Sequence, residues 1–282
     1  IMKMKIAYFG SEASNTHIVA LQTFENEELI SKATILDCFR AVENGEIDKA
    51  VVPLENSIEG TVSTTLDFLY EYDGIRIEAE AVMPITHHLM IHPENTVIEK
   101  IYSHPQALAQ CYHFLDKEYK EVVKQEFGST AAAAKRVAEN PEKKYAAIAN
   151  LYAAKFYNLK VLHSNIQDFE QNHTKFIIIS KKDESLKLSK NKTAEKTSLI
   201  LTMPEDHAGG LHQVLSVFAW RKMNLTKIES RTLKTGLGNY FFFINIDGNW
   251  ESVLYKNAIE ELESIDVKVK FLGHYEEYLL ES

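Results

Sequence analysis

The chain has 282 residues, of which 45% are hydrophobic and 25% charged, the balance of an ordinary globular protein with room for two domains or three lobes. A formal net charge of −9 argues against a nucleic-acid partner, which needs a broad basic face, but leaves room for a local positive field around a small anion. No run of about 18 apolar residues could span a bilayer, and two cysteines, Cys38 and Cys111, without metal-ligand spacing or a disulfide framework point to a reducing cytoplasm.

Ile1–Lys5 leads straight into the apolar Ile6–Phe9 without the longer apolar core and cleavage site of a secretory signal, so none is expected. Lys5–Phe9 reads as a strand and Thr16–Phe24 as a helix. Ala50–Leu54 is a strand followed by a helix through Leu66, Phe68 and Leu69. Ile98–Tyr102 leads into a helix from Pro105 through Cys111 to Leu115, and Glu121–Phe127 leads into Thr130–Glu139, whose alanines favour helix. Tyr145–Ala149, the short helix Leu151–Phe156 and the strand Lys175–Ser180 close this part. Short β-like runs alternating with helical ones predict an α/β fold over 1–180.

Composition then shifts. Residues 181–196 are rich in lysine and serine, lack periodicity and read as a linker. From 197 to 282 the order is strand (Thr197–Thr202), helix (Gly210–Trp220), strand (Leu225–Leu233), a hairpin turn at Thr235–Gly238, strand (Tyr240–Ile246), helix (Val253–Leu262) and strand (Val267–Leu272). This βαββαβ order is ferredoxin-like. The strongly apolar Tyr240–Ile246 suits side-by-side pairing between subunits in a homodimer or homotetramer.

Four times an apolar run gives way to small polar residues at a helix start: Gly10–Thr16, Glu55-Asn56-Ser57, Ser103-His104-Pro105-Gln106 and Gly128-Ser129-Thr130. In an open α/β sheet such junctions gather at the carboxyl ends of strands. Each offers unpaired N–H groups and a positive dipole end, which suits carboxylate or phosphate. A single junction would be an ordinary helix cap; four together point to a multiply anionic small molecule. The glycine spacing fits neither a Walker loop nor a dinucleotide fingerprint. His87 and His88 are adjacent in a strand and face opposite ways, without an acid or cysteine at ligand spacing, so no metal is expected.

The stretches "VVPLENSIEGTV" (Val51–Val62), "SHPQALAQC" (Ser103–Cys111), "STAAAA" (Ser129–Ala134), "AAIAN" (Ala146–Asn150) and "NHTKF" (Asn172–Phe176) resemble, in this order, those of prephenate dehydratases. Gly209–Gly236 resembles their C-terminal ACT regulatory domain. The resemblance covers nearly the whole chain outside the linker. It implies a catalytic region of two lobes akin to periplasmic binding proteins, no metal or organic cofactor, and decarboxylative dehydration of prephenate to phenylpyruvate in phenylalanine biosynthesis. It also implies feedback inhibition by L-phenylalanine at a subunit interface.

Prephenate carries two carboxylates and a ring hydroxyl, and loss of CO2 and hydroxide makes the ring aromatic. The site must hold a dianion, help the hydroxyl leave and exclude water. By resemblance Thr174 serves the departing hydroxyl, while Ser14, Asn56, Ser57, Ser103, Gln106, Ser129, Thr130, Lys175 and Phe176 hold substrate. Lys175 stands where the family has arginine and keeps the charge but not the planar fork. Ala13 stands where the family has glycine, which limits positive φ and close backbone approach. Gly209, Gly210, Leu211, His212, Asn224, Leu225, Glu229, Ser230 and Arg231 match the phenylalanine site. An arogenate dehydratase and a sensor of phenylalanine or prephenate without turnover are the alternatives.

Overall fold

The computed structural model describes residues 3–204, 207–233, 239–248 and 250–282; the hairpin turn expected at Thr235–Gly238 lies outside them. The chain begins with β1 (Lys5–Phe9), α1 (Asn15–Thr23), β2 (Glu28–Lys32), α2 (Ile35–Glu43), β3 (Lys49–Asn56), β4 (Gly60–Thr61), α3 (Ser63–Glu71) and β5 (Arg76–Pro84). It continues with β6 (His88–Ile91), β7 (Lys100–Ser103), α4 (Pro105–Gln110), α5 (Tyr112–Glu118), β8 (Val123–Glu126), α6 (Thr130–Ala138), β9 (Tyr145–Ala149), α7 (Leu151–Phe156) and β10 (Lys160–His163). It then crosses back through β11 (His173–Ser180). The last part is β12 (Asn191–Thr202), α8 (Gly210–Trp220), β13 (Leu225–Thr232), β14 (Tyr240–Asp247), α9 (Val253–Ser264) and β15 (Lys268–Leu279).

These elements form a mixed α/β fold on two sheets. The smaller has the order β10-β6-β9-β7-β8. The larger runs β13-β14-β12-β15-β5-β11-β3-β1-β2, with β4 on β3. It is continuous because β15 pairs in parallel with β5, from Glu276 opposite Ala79 to Leu279 opposite Val82. Gly273 makes that approach possible. Its φ is +150°, and a Cβ there would stand 2.3 Å from the Ile77 carbonyl oxygen.

The larger sheet buries both faces around β11. Phe176 and Ile178 pack with Ile6, Tyr8, Ile18 and Val51 under α1. Ile177 and Ile179 pack with Phe39, Val52, Leu66 and Phe241, under α2 and α3 and against the C-terminal unit. This is the period-2 alternation of a strand, and it puts Thr174 on the first face and Lys175 on the second.

Two expectations change. Residues 191–196, read as the end of a linker, are the first half of β12, paired with β15 from Asn191 opposite Leu279 to Lys196 opposite Tyr275. Its lysines hid it: Lys192 and Lys196 are drawn into ion pairs with Glu276 and with Glu80 and Glu277. Second, β14, read as a strand for pairing between subunits, lies between β12 and β13 with both edges used. The edge that this unit leaves open is that of β13.

Candidate functional site

In the larger sheet β1 and β3 are parallel, and β11 is antiparallel to β3, so the end of β1, the end of β3 and the start of β11 meet at one edge. In the smaller sheet β7 is parallel to β8 and β9, which brings the starts of α4, α6 and α7 to one edge as well. Two sets of contacts hold these edges face to face. Asn150 Nδ2 donates to the Ala13 carbonyl at 2.9 Å and to Asn15 Oδ1 at 3.0 Å. Asn172 Nδ2 donates to Gln110 Oε1 at 2.9 Å. The Ala13 methyl is fully buried among Ala131, Ala134 and Ala149. Its φ of +63° is the left-handed conformation that an alanine disfavours and the family's glycine would adopt freely.

Thr174 stands directly opposite Asn56 across the β11–β3 ladder. Asn56 Oδ1 accepts the backbone N–H groups of Ile58 and Glu59, at 2.9 and 3.0 Å, which fixes the sense of its amide. Asn56 Nδ2 therefore donates, to Asn172 Oδ1 and to Thr174 Oγ1, both at 2.9 Å. A threonine hydroxyl has one proton and two lone pairs. With Asn56 donating to its oxygen, the Thr174 proton is left for a further acceptor.

The same reasoning covers two helix caps. Ser14 Oγ accepts His17 N at 3.2 Å, and Ser129 Oγ accepts Ala132 N at 3.0 Å. Each is an N-cap acceptor whose own proton remains to be given. Thr130 is half-buried beside Ser129, and Gln106 is exposed in the first turn of α4. Thr174, Asn56, Ser14, Ser129, Thr130 and Gln106 thus all lie at the facing strand ends.

Four expected site residues do other work. Ser103 is fully buried and donates to the Ile148 carbonyl at 2.7 Å, tying β7 to β9. Phe176 is core, packed with the α1 side of the sheet. Ser57 accepts His173 N at 3.0 Å and donates to the Gln171 carbonyl at 3.2 Å, closing the turn before β11. Lys175 points through the other face, 3.6 Å from Glu80 Oε1 and 3.5 Å from Glu277 Oε2. Burial pushes the Glu80 carboxyl up, against the pull of Lys196 and Lys175. Burial would also raise Glu277, but hydrogen bonds led by Glu80 and Lys196 hold it well below the usual carboxylate range. On this face lies a cavity of about 410 Å³, lined by Glu55, Lys175, Lys196, Lys227, Asp247 and Glu277 among others. Thr174 does not line it.

Sequence reasoning missed Asn172, Gln110, Asn150 and a role for His87. Asn172 and Asn150 stand inside the recognised stretches, and both are nearly inaccessible asparagines, a sign legible only once burial is known. His87 and His88 are each satisfied, His87 by Gln110 and His88 by Thr86 and Asn165 N. Among the described residues no group of three His, Cys, Asp or Glu could hold a metal.

In the C-terminal unit β13 also presents two faces. Glu229 and Arg231, expected at an amino-acid site, face the N-terminal half instead. Arg231 grips Asp67 of α3 through two hydrogen bonds of 3.0 and 2.8 Å, and Glu229 accepts from Thr61 at 3.1 Å. Lys227 reaches Glu55 at 3.2 Å and Thr61 at 2.9 Å, which gives Glu55 its partner. Ser230, opposite Phe242, shares the α8 side. Gly209, with φ +85°, starts α8, followed by the buried Gly210 and the exposed Leu211 and His212. Leu225 packs partly against the core beneath α8 and α9. The Asn224 amide is engaged by Asp247 at 2.9 Å.

The prephenate dehydratase family model matches residues 6–184. A prephenate dehydratase of Bacillus subtilis is 44% identical over 286 residues, covering 98% of this chain and all of the relative. A solved prephenate dehydratase of Arthrobacter aurescens in complex with L-Phe superposes with a TM-score of 0.84 at 32% identity, over 96% of this chain and 89% of that one. GqqA, described as a novel type of quorum quenching acylase, has the same TM-score at 25% identity, over 97% and 98% of the two chains.

Proposed function

The chain belongs to the prephenate dehydratase family, and we propose that the facing strand ends around Thr174 convert prephenate to phenylpyruvate, with inhibition by L-phenylalanine. The observation that carries this is the direction of one hydrogen bond: Asn56 donates to Thr174 Oγ1, so the hydroxyl proton is free for the substrate. When the carboxylate on the quaternary carbon leaves as CO2, the C–C electron pair enters the ring and the C–O bond at the para carbon breaks. Thr174 donates a hydrogen bond to the departing hydroxide, which leaves as water with a proton relayed from solvent. Threonine is too weak an acid to titrate, so its part is positioning and charge stabilisation. Ser14, Ser129 and Thr130, at the starts of α1 and α6, hold the carboxylates with hydroxyl and backbone N–H donors.

In this reading the two sheets make a cleft of the kind found in periplasmic binding proteins, over 1–180, and the βαββαβ unit is an ACT domain. The connection is 181–190, shorter than the sequence suggested. L-phenylalanine is received on the α8 side, by Gly209, Gly210, Leu211, His212, Leu225 and Ser230, near the open edge of β13, where a second subunit would pair. The other face of β13 is pinned to Asp67, Thr61 and Glu55, next to Asn56. A shift of β13 therefore acts on the catalytic hydrogen bond, with a coupling of about 1–3 kcal/mol.

An acyl-transfer reading finds no support in the site. Thr174 Oγ1 is bonded to an amide rather than a base, and burial pushes the Cys111 thiol up to about 12. The test is to supply prephenate and follow phenylpyruvate, with and without L-phenylalanine, and to repeat it with arogenate. Turnover of prephenate suppressed by phenylalanine supports the reading. Preference for arogenate moves it to that substrate, and no turnover of either overturns it.

A further inference from the structure

We propose that His87 is a positioning residue for this reaction, acting through the buried amide relay Gln110–Asn172–Asn56 that fixes the Thr174 hydroxyl; this rests on the function proposed above. The relay has a single allowed sense. It starts from two backbone N–H groups, those of Ile58 and Glu59, which take Asn56 Oδ1 and force Asn56 Nδ2 to donate. Asn172 must then present its oxygen to Asn56 and its nitrogen to Gln110. Gln110 in turn presents its oxygen to Asn172 and its nitrogen to Glu59 Oε1, at 3.1 Å. The Gln110 oxygen has a second lone pair, and His87 Nε2 lies 2.9 Å from it. Since Gln110 Oε1 can only accept, His87 carries its proton on Nε2.

His87 is itself held. Its backbone N–H donates to Gln167 Oε1 and its carbonyl accepts Ile166 N, both at 2.9 Å. His87, Gln110 and Asn172 are 5%, 8% and 1% exposed, so water cannot replace a lost partner cheaply. Without the imidazole N–H, Gln110 keeps one donor to its oxygen and the Glu59 acceptor at its nitrogen, so its amide is held against rotation by two contacts instead of three. A reversed Gln110 would set N–H against the Asn172 N–H, and the disorder would pass to Asn56 and Thr174. His87 touches no substrate in this scheme. Its effect is on how firmly the Thr174 proton is aimed, and misplacement on that scale costs on the order of 10- to 100-fold in rate.

The experiment combines kinetics with 15N NMR of the histidine side chains. In wild type, the ring signals that vanish in His87→Gln should show a neutral imidazole protonated at Nε2. A proton on Nδ1 overturns the inference, and this reading is independent of turnover. If the wild type fails to convert prephenate, the function falls while the tautomer still decides the geometry. In kinetics, His87→Leu should lower kcat at least tenfold with KM within threefold. His87→Gln, which restores an N–H donor, should recover most of the rate. Adding His87→Leu to Gln110→Ala should cost nothing further, because both act through one amide. A His87→Leu rate within twofold of wild type, a His87→Gln as slow as His87→Leu, or additive losses in the double variant would each overturn it. Should His87→Leu not fold, the His87→Gln rate and the wild-type tautomer carry the test.

Discussion

Lys175 Nζ stands 3.5 Å from Glu277 Oε2, on the face of β11 opposite to Thr174, so neighbours in sequence serve different halves of the protein. One bonds toward the cleft; the other joins the strand to the C-terminal unit through Glu277 on β15 and Glu80 on β5. Replacing Lys175 by alanine is therefore expected to leave KM for prephenate within about twofold. Lys196 remains 2.9 Å from Glu80 and 2.8 Å from Glu277, and the Lys175 side chain is 37% exposed. The stability loss should accordingly stay near 1 kcal/mol or below. The response to phenylalanine should change. Steady-state kinetics checks this, and a tenfold rise in KM would return Lys175 to the substrate site.

Thr174→Val keeps the volume and removes the donor. It should lower kcat by about 10²- to 10⁴-fold, the range of a lost proton-transfer or donor group, with little change in melting temperature. Asn56→Asp retains the oxygen that caps Ile58 and Glu59 but cannot donate to Thr174 or Asn172. It should lose comparable kcat and also raise KM, because it sets a carboxylate beside a dianion. Thr174→Val near the wild-type rate would remove Thr174 from the chemistry.

Much of this arrangement was legible in the sequence, and the failures have physical causes. The strand-to-helix junctions at Ser14 and Ser129 could be read because capping residues and apolar runs are local signals, whereas Asn56, also read at a helix start, closes a turn into β4, and α3 begins only at Ser63. β5 went unread because Glu78 and Glu80 interrupt its apolar pattern. Both are buried, and their partners, Lys49 and Lys196, lie 29 and 116 residues away. The same distant pairing disguised 191–196 as a linker. Phe176 and Ser103 were assigned to substrate by position in a motif, yet a motif conveys neither which face of a strand is core nor which hydroxyl is already spent on a neighbouring carbonyl.

The Arg231–Asp67 contact offers a separable test of regulation. Its two hydrogen bonds are partly shielded, with side-chain exposures of 27% and 21%. A coupling energy of about 1 kcal/mol is expected from a double-mutant cycle with Arg231→Ala and Asp67→Ala. If Arg231 acts by docking β13 on α3, Asp67→Asn should alter phenylalanine inhibition as Arg231→Lys does. Unchanged inhibition in Asp67→Asn, with inhibition lost in Arg231→Lys, would instead make Arg231 a ligand of the effector.

Ala13→Gly tests the irregular first motif. Relief of the left-handed conformation is worth about 1–2 kcal/mol. Against it stand about 0.4–1 kcal/mol of added chain entropy in the unfolded state and about 0.8 kcal/mol for a buried methyl. The terms nearly cancel, so urea unfolding should find stability within about 1 kcal/mol of wild type. The methyl packs between the two sheets, so a change in KM rather than in stability is the expected signature. A loss above 2 kcal/mol would mean that the methyl contact outweighs the strain.

Acid should lower the stability in two stages. Burial lowers His17, His87 and His88 below the ordinary 6.5. Their folded pKa values are depressed, so their contribution is complete above about 6.5 and is lost as pH falls through the folded values, because only the unfolded chain then binds protons. The second stage belongs to carboxylates held below their usual range, Glu277 among them, and is clearest at Glu276. Burial would raise its carboxyl, but hydrogen bonds from Lys187, Tyr278 and Lys192 outweigh burial and hold it at about 2, against 4.5 for a free side chain. Its contribution is complete above about 4.5 and is lost between there and about 2. Glu80 opposes this trend, since a raised carboxyl favours folding below its ordinary pKa. Urea midpoints at pH 7.5, 5.5 and 3.5 should therefore fall at each step. In His87→Gln the first step should shrink and the second stay as it was; a first step of unchanged size would show that His87 is as easily protonated folded as unfolded.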